Sequence, residues 1–346
     1  MRTIDLNTGT GHCSIITGGN LADVPARIAD CRIAVITDKN VSRYYRDFFP
    51  AGLVAEIEPG EQSKNLETVH SIYEQLVDAE IDRKDFILGI GGGVVCDLAG
   101  FVASTYLRGM RFGFVASSLL AQVDAAIGGK NGVDFKNFKN IIGVIRQPEF
   151  VICDPEMLKT LNRKEFIGGL AEVIKYGAIM DRGLFEYCES RSKEILEMDP
   201  GVIDEIIYMS AGNKVKLVEI DEFETGERTK LNFGHTFAHA LEKISGLTHG
   251  EAVAIGMNIA GTISVSEGLL PEQKAIRLKS LIQNLGLPVS INADPDGLFQ
   301  AIRKDKKKRG EVIGLVLLED LGKSVIKYME LERLKFILND LHLHSK

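Results

Sequence analysis

The sequence predicts an α/β N-terminal domain, Rossmann-like with a mostly parallel sheet, followed by a mainly α-helical C-terminal domain. Three observations carry this. Up to about residue 150, short β-branched runs alternate with helical periodicities, as crossover units do. One of those runs ends directly in a glycine cluster that opens a helix. From 155 to 296, long helical patterns follow with few β-branched runs among them. The predicted domains are 1–154 and 155–346, divided near Pro148–Pro155. A chain of 346 residues suits this division, since domains run to roughly 100–200 residues.

Taken in order, RIAVITD (32–38) and LVAEIEPG (53–60) read as strands, the second closed by Pro-Gly. NLETVHSIYEQLVDAEI (65–81) has helical spacing at Val69, Ile72, Leu76 and Val77. DFILGIGGG (85–93) is a strand running into glycines, and VVCDLAGFVASTY (94–106) a helix. GFVASSLLAQVDAAIGGKNG (113–132) repeats the theme of strand then loop. Helices are predicted over 164–180, 201–220, 233–244, 251–268 and 272–286, and EVIGLVLLE (311–319) is a late strand.

Composition narrows the functional classes. Hydrophobic residues at 45% supply a core, which argues against a disordered chain. Lys plus Arg number 41 against 48 Asp plus Glu, so the net charge of −7 disfavours nucleic acid or an anionic membrane as the main partner. Five widely spaced Cys (13, 31, 96, 153, 188), with no CxxC pair, fit neither a disulfide framework nor a cysteine zinc site. They read as small buried hydrophobes in a reducing, cytoplasmic setting. The opening MRTIDLNTG has no apolar signal-peptide core, and no apolar run approaches membrane-spanning length.

Four motifs carry chemistry. In GIGGGVVCD (89–97) a strand gives way to glycines and a helix, where backbone can approach a pyrophosphate and unpaired N–H groups await it. Val94 breaks the usual GxGxxG pattern, and a plain tight turn would look the same. Asp38, at a strand end, would accept ribose hydroxyls or merely cap a helix. In the second motif, 231–257, His235 and His239 share a helix face, and His249 follows before the next helix. Three of the chain's 7 His lie there, and with a carboxylate they would suit Zn²⁺. Spacing alone favours His235 and His239 as ligands. In GLAEVIKYG (169–177), Glu172 and Lys175 form either a surface ion pair or part of such a site. Last, Lys130, Lys139, Asn140, Lys214, Arg228 and the run KDKKKRG (304–310) are solvated surface or a converging anion site.

Together the motifs GGGVVCDLAGFVAS, LLAQVDAAIGGKNG, KNIIG, GLAEVIKYG, DEFETGERTKLNFGHTFAHALE and HGEAVAIGM resemble the sugar phosphate cyclases. The likeness is greatest to the 3-dehydroquinate synthase family and runs from PGEQSK (59–64) to KDKK (304–307). It implies a two-domain architecture shared with the iron-type alcohol dehydrogenases. It implies NAD used and regenerated in each turnover, and one divalent metal, usually Zn²⁺ with Co²⁺ as an alternative. The substrate it implies is 3-deoxy-D-arabino-heptulosonate 7-phosphate, converted to 3-dehydroquinate and phosphate.

By the resemblance, the metal ligands fall on Glu172, His235 and His249, which moves His239 to the substrate side. Cofactor contacts fall on Asp38, Glu61, Lys64, Gly92, Gly93, Asp97, Ser117, Ser118, Lys130, Lys139, Thr160 and Leu161. Catalytic and substrate positions fall on Asp124, Lys130, Asn140, Lys175, Lys214, Arg228, Asn232, His239 and Lys306, with Lys307 an alternative to Lys306. Arg108 matches an arginine that reaches the neighbouring subunit's site, which implies a homodimer. Within this reading Lys214 and Arg228 hold the carboxylate, while Lys130, Asn140, His239, Lys306 and Arg108 share the phosphate. The chain departs from the family pattern at Ala116-Ser117-Ser118, where the hydroxyls and so the cofactor contacts are expected to survive, and at Ala125, Ala126 and Ala238, read as packing changes. A sister cyclase, a metal-dependent polyol dehydrogenase and an inactive cofactor-binding protein are the competing readings.

Overall fold

The chain opens on an antiparallel hairpin of β1 (Arg2–Thr8) and β2 (Gly11–Thr17). Then come β3 (Ile33–Asp38), α1 (Lys39–Tyr45), β4 (Gly52–Ile57), α2 (Leu66–Asp78), β5 (Phe86–Gly91), α3 (Gly93–Thr105) and β6 (Arg111–Ala116). A second hairpin, β7 (Lys130–Phe135) with β8 (Phe138–Ile145), precedes β9 (Phe150–Cys153). The remaining helices are α4 (Arg163–Ile179), α5 (Arg182–Ser190), α6 (Ser192–Leu196), α7 (Pro200–Ile220), α8 (His235–Ser245), α9 (His249–Ser266), α10 (Glu272–Asn284) and α11 (Pro295–Arg303). β10 (Lys308–Arg309), β11 (Val312–Asp320), β12 (Lys323–Glu330) and α12 (Leu331–Asp340) close the chain. This computed structural model describes residues 1–28, 31–136, 138–292, 294–303, 308–309 and 311–340.

Two compact units result: 1–162 with 203–223, and 163–202 with 224–346. The first is built on a seven-stranded sheet of order β1-β2-β9-β6-β5-β3-β4, parallel except for β1. Every residue of β5 is buried, as a central parallel strand covered on both faces must be. Its core joins Ile33, Val35, Phe86, Leu88, Ile90, Val115 and Ile152, with the Phe86 and Phe150 rings stacked at 5.7 Å. β4 lies to one side of β3, while β5, β6 and β9 extend to the other. The strand order therefore reverses at β3/β5, and ligands of such sheets bind outside the carboxyl ends at that point.

The second unit is mainly helical, with a three-stranded antiparallel sheet β10-β11-β12. The predicted strands and helices named above all appear, shifted by a few residues at their ends. The two hairpins do not come from the sequence reading. β8 is exposed along most of its length, so it has no apolar alternation to betray it. Cys13, Cys96, Cys153 and Cys188 are buried, and burial pushes their thiols up, away from the reactive thiolate. Among the described residues, no helix is long and apolar enough to cross a membrane.

Candidate active site

In the first unit the residues assigned to a dinucleotide gather at the carboxyl ends of the parallel strands. Asp38 ends β3, Gly92 and Gly93 follow β5, Ser117 and Ser118 follow β6, and Thr160 and Leu161 lie beyond β9. α3 begins at Gly93 with no side-chain cap, which leaves its first N–H groups for an anion. The glycines are required here by close approach. A Cβ on Gly91 would stand 2.5 Å from that of Val95, and one on Gly89 would stand 2.9 Å from that of Ala99. Asp38 is a helix cap: its Oδ1 accepts from the N–H groups of Asn40 at 2.8 Å and Val41 at 3.0 Å. Both bonds use one oxygen. Lys64 is buried and ion-paired with Asp97 on α3. Burial pushes the Asp97 carboxyl up to about 6 even though Lys64 opposes it.

Beyond β6 the chain turns through one π-helical stretch, Ala121–Ala125, a form often found at functional sites. The fully buried Gln122 fixes it by donating to the carbonyls of Ala116 at 2.9 Å and Asp154 at 2.7 Å. That turn presents Asp124, whose Oδ1 accepts from Lys214 of α7 at 2.8 Å. Lys130 opens β7, and Lys139 and Asn140 lie in β8. Glu61 lies in the short helical turn before α2. Arg108 follows α3 in an exposed turn where it and Leu107 both take left-handed backbone, with φ of 65° and 49°.

The second unit holds the three side chains that could ligate a metal. Glu172 and Lys175 of α4 are 1% and 2% exposed and form an ion pair. The alternative of a surface pair is thus overturned: α4 is buried along nearly its whole second half. Glu172 Oε1 lies 3.6 Å from His235 Nε2 and 3.7 Å from His249 Nε2. Ligand atoms on a tetrahedral zinc sit about 3.3 Å from one another, so these gaps suit a shared cation. The three side chains form the one such group among the described residues, with their ligand atoms within 4.8 Å of each other.

The far sides of both rings agree with that role. His235 Nδ1 lies 3.2 Å from the Phe233 carbonyl, and His249 Nδ1 lies 2.7 Å from Glu242 Oε1. Both partners only accept, so each Nδ1 carries a hydrogen, and Nε2 is the ring atom left to face Glu172 and a cation. Burial and the Lys175 ammonium push His235 down to about 3, which keeps it neutral. Burial opposes protonation of His249, but bonds to Glu172 and Glu242 push it up to about 9. A cation would therefore displace a proton from His249 at neutral pH. The ring of His239 lies 5.7 Å from that of His235, and His239 stands outside this group.

Glycine brings the ligand-bearing helices together. A Cβ on Gly250, next to His249, would fall 2.3 Å from the Gly168 carbonyl oxygen of α4. Gly234, before His235, has φ of 79° and would drive a Cβ to 2.7 Å from the Met257 nitrogen. Arg228 is buried, and Asn232 Nδ2 donates to Glu224 Oε1 at 2.5 Å and to the Thr229 carbonyl at 3.1 Å. Lys306 and Lys307 lie outside the described residues. Sequence reasoning missed Glu242 and Gln122. The only trace of Glu242 was a carboxylate inside a histidine-rich stretch, and Gln122 left none.

Comparison with known proteins bears on both units. Residues 54–168 match the family model described as 3-dehydroquinate synthase N-terminal, and 169–308 match 3-dehydroquinate synthase C-terminal. A 3-dehydroquinate synthase of Pelobacter propionicus is 40% identical over 351 residues, spanning 96% of this chain and 98% of that one. Among solved structures, the 2-epi-5-epi-valiolone synthase of Streptomyces hygroscopicus, with NAD⁺ and Zn²⁺ bound, is 25% identical at a TM-score of 0.87. The match covers 98% of this chain and 99% of that one. The NADH-dependent butanol dehydrogenase A of Thermotoga maritima shares the fold, at TM-score 0.67 over 96% of each chain and 15% identity. With both halves matched in order, and a histidine–carboxylate cluster inside the second, the chain belongs to the 3-dehydroquinate synthase family.

Proposed function

We propose that the protein converts 3-deoxy-D-arabino-heptulosonate 7-phosphate to 3-dehydroquinate and inorganic phosphate, using NAD⁺ and one divalent cation. The observation that carries this is the Glu172–His235–His249 cluster, with its Nδ1 atoms anchored, in a chain of this family. When bound, NAD⁺ supplies a reversible hydride acceptor, and the cation, Zn²⁺ or Co²⁺, supplies a Lewis acid. Asp38, the uncapped start of α3 and the Lys64–Asp97 pair would seat the dinucleotide. Glu172, His235 and His249 would hold the cation. Lys175, buried beside Glu172, pairs with that carboxylate and helps to aim it.

Substrate recognition falls to Lys214 and Arg228 for the carboxylate, and to Lys130, Asn140, His239, Lys306 and Arg108 for the phosphate. Lys214 is held by Asp124, and Asn232 by Glu224 and the Thr229 carbonyl, so neither pays to be ordered when substrate arrives. The phosphate leaves by β-elimination, and groups fixed in advance need only orient it. We further infer a cytoplasmic homodimer in which Arg108, on its exposed left-handed turn, reaches the neighbouring site.

The test is turnover of this substrate with catalytic NAD⁺ and Zn²⁺. Equimolar phosphate and 3-dehydroquinate, no accumulating NADH and loss of rate with a chelator are expected. Turnover of sedoheptulose 7-phosphate instead would make it a sister cyclase, and net NADH formation from a polyol would make it a dehydrogenase. Light scattering checks the dimer.

A further inference from the structure

We propose that Asp134 is a positioning residue for the segment that presents Lys139 and Asn140, and that it ties this segment to the backbone of Lys64. The inference rests on the function proposed above. In the β7–β8 hairpin Val133 faces Ile142 and Phe135 faces Phe138. Asp134 alone on β7 therefore stands opposite residues 139–141 of β8, an irregularity of the bulge kind that re-aims side chains. Asn140 sits in that bulge with φ of 51°, a left-handed conformation that costs a non-glycine residue energy.

Asp134 holds it there. Its Oδ1 accepts the Asn140 N–H at 2.7 Å, and its own N–H donates to the Lys64 carbonyl at 2.8 Å. Lys64 in turn reaches Asp97 on α3 through its ammonium. One residue thus connects the loop carrying two proposed anion-binding groups to a residue proposed to seat the dinucleotide. Its charge is felt there as well: burial disfavours the Lys64 ammonium, while Asp97, Glu61 and Asp134 favour it. A side chain that meets a phosphate must be placed to within about half an ångström, and Asp134 supplies that precision for Asn140 without touching substrate.

Two variants separate the hydrogen bond from the charge. In D134A kcat/KM for 3-deoxy-D-arabino-heptulosonate 7-phosphate is expected to fall about tenfold or more, with unchanged circular dichroism. D134N, which keeps an acceptor oxygen, is expected to restore most of the loss. Exchange of the Asn140 amide hydrogen, read separately, should be slow in the wild type and D134N and fast in D134A. The proposal is overturned if D134A keeps wild-type kcat/KM, or if D134N is as impaired as D134A, since charge would then carry the effect. If D134A does not fold, D134S, whose hydroxyl is too short to reach Asn140, takes its place. A wild type inert on this substrate counts against the proposed function. The exchange data then decide for Asp134, and an unprotected Asn140 amide overturns its role.

Discussion

Glu172 shows how one carboxylate can serve two partners. It is buried, it faces two Nε2 atoms, and Lys175 balances its charge from one turn along α4. Removing one member of a buried ion pair strands the other and costs about 3–5 kcal/mol. K175A should therefore lose stability of that order in metal-free protein and distinctly less with Zn²⁺ present. Urea denaturation with and without chelator measures the difference, and equal losses would show that Glu172 binds no cation. Glu242 acts one bond further out. E242Q should weaken Zn²⁺ binding about 10- to 100-fold, as changes to groups that orient a ligand imidazole do, with a competing chelator as the readout. Residue types and family likeness pointed to Glu172, His235 and His249, whereas spacing alone pointed to His239. A helical period reports which residues share a face; it does not report which face another helix covers, and α9 brings His249 from elsewhere.

At the scale of elements, the close crossing of α4 and α9 is the exacting feature. G250A would place a methyl 2.3 Å from a backbone oxygen that has no rotamer to move. Overpacking of this kind typically costs about 1–3 kcal/mol, and here it should also cost Zn²⁺ affinity, because His249 adjoins the crossing. Calorimetric Zn²⁺ titration would reveal it. The β1–β2 hairpin is held differently. Arg2 pairs with Asp204 and Glu205 at 2.8 Å each, and buried Glu222 accepts from Thr10 N at 3.3 Å and Gln147 Nε2 at 3.2 Å. Burial pushes Glu222 up, but bonds from Thr10, Thr8 and Gln147 outweigh it and hold the carboxyl below its ordinary value of about 4.5. The unfolded chain therefore binds the proton first as pH falls. The stability from Glu222 is full above about 4.5 and is lost as pH drops through the depressed folded value. Urea midpoints between pH 6 and 3 should fall less steeply in E222Q than in the wild type, and parallel curves would refute this. The parallel strands were legible because burial on both faces writes a continuous apolar run. The hairpins were not: the alternation of β1 rests on only two apolar residues, Ile4 and Leu6, and β8 exposes most of its length and leaves none to read.

For the whole molecule, the two units carry separate halves of the proposed chemistry, and each ligand should stabilise its own. NAD⁺ should slow amide exchange at the carboxyl ends of β3 and β5, and Zn²⁺ should do so around α4, α8 and α9. A ligand at 100 times its Kd adds about 2.7 kcal/mol, enough to read in a melting curve. The order of the chain adds a further consequence. Residues 203–223 belong to the first unit although 163–202, made before them, belong to the second. A ribosome therefore releases Arg2, Thr10 and Asp124 long before Asp204, Lys214 and Glu222, the side chains they grip, have been synthesised. The sheet must wait, its first hairpin unclamped, while part of another unit emerges. No single cut yields two self-sufficient pieces, and a fragment of 1–162 alone should be poorly ordered until a peptide spanning 203–223 is added back.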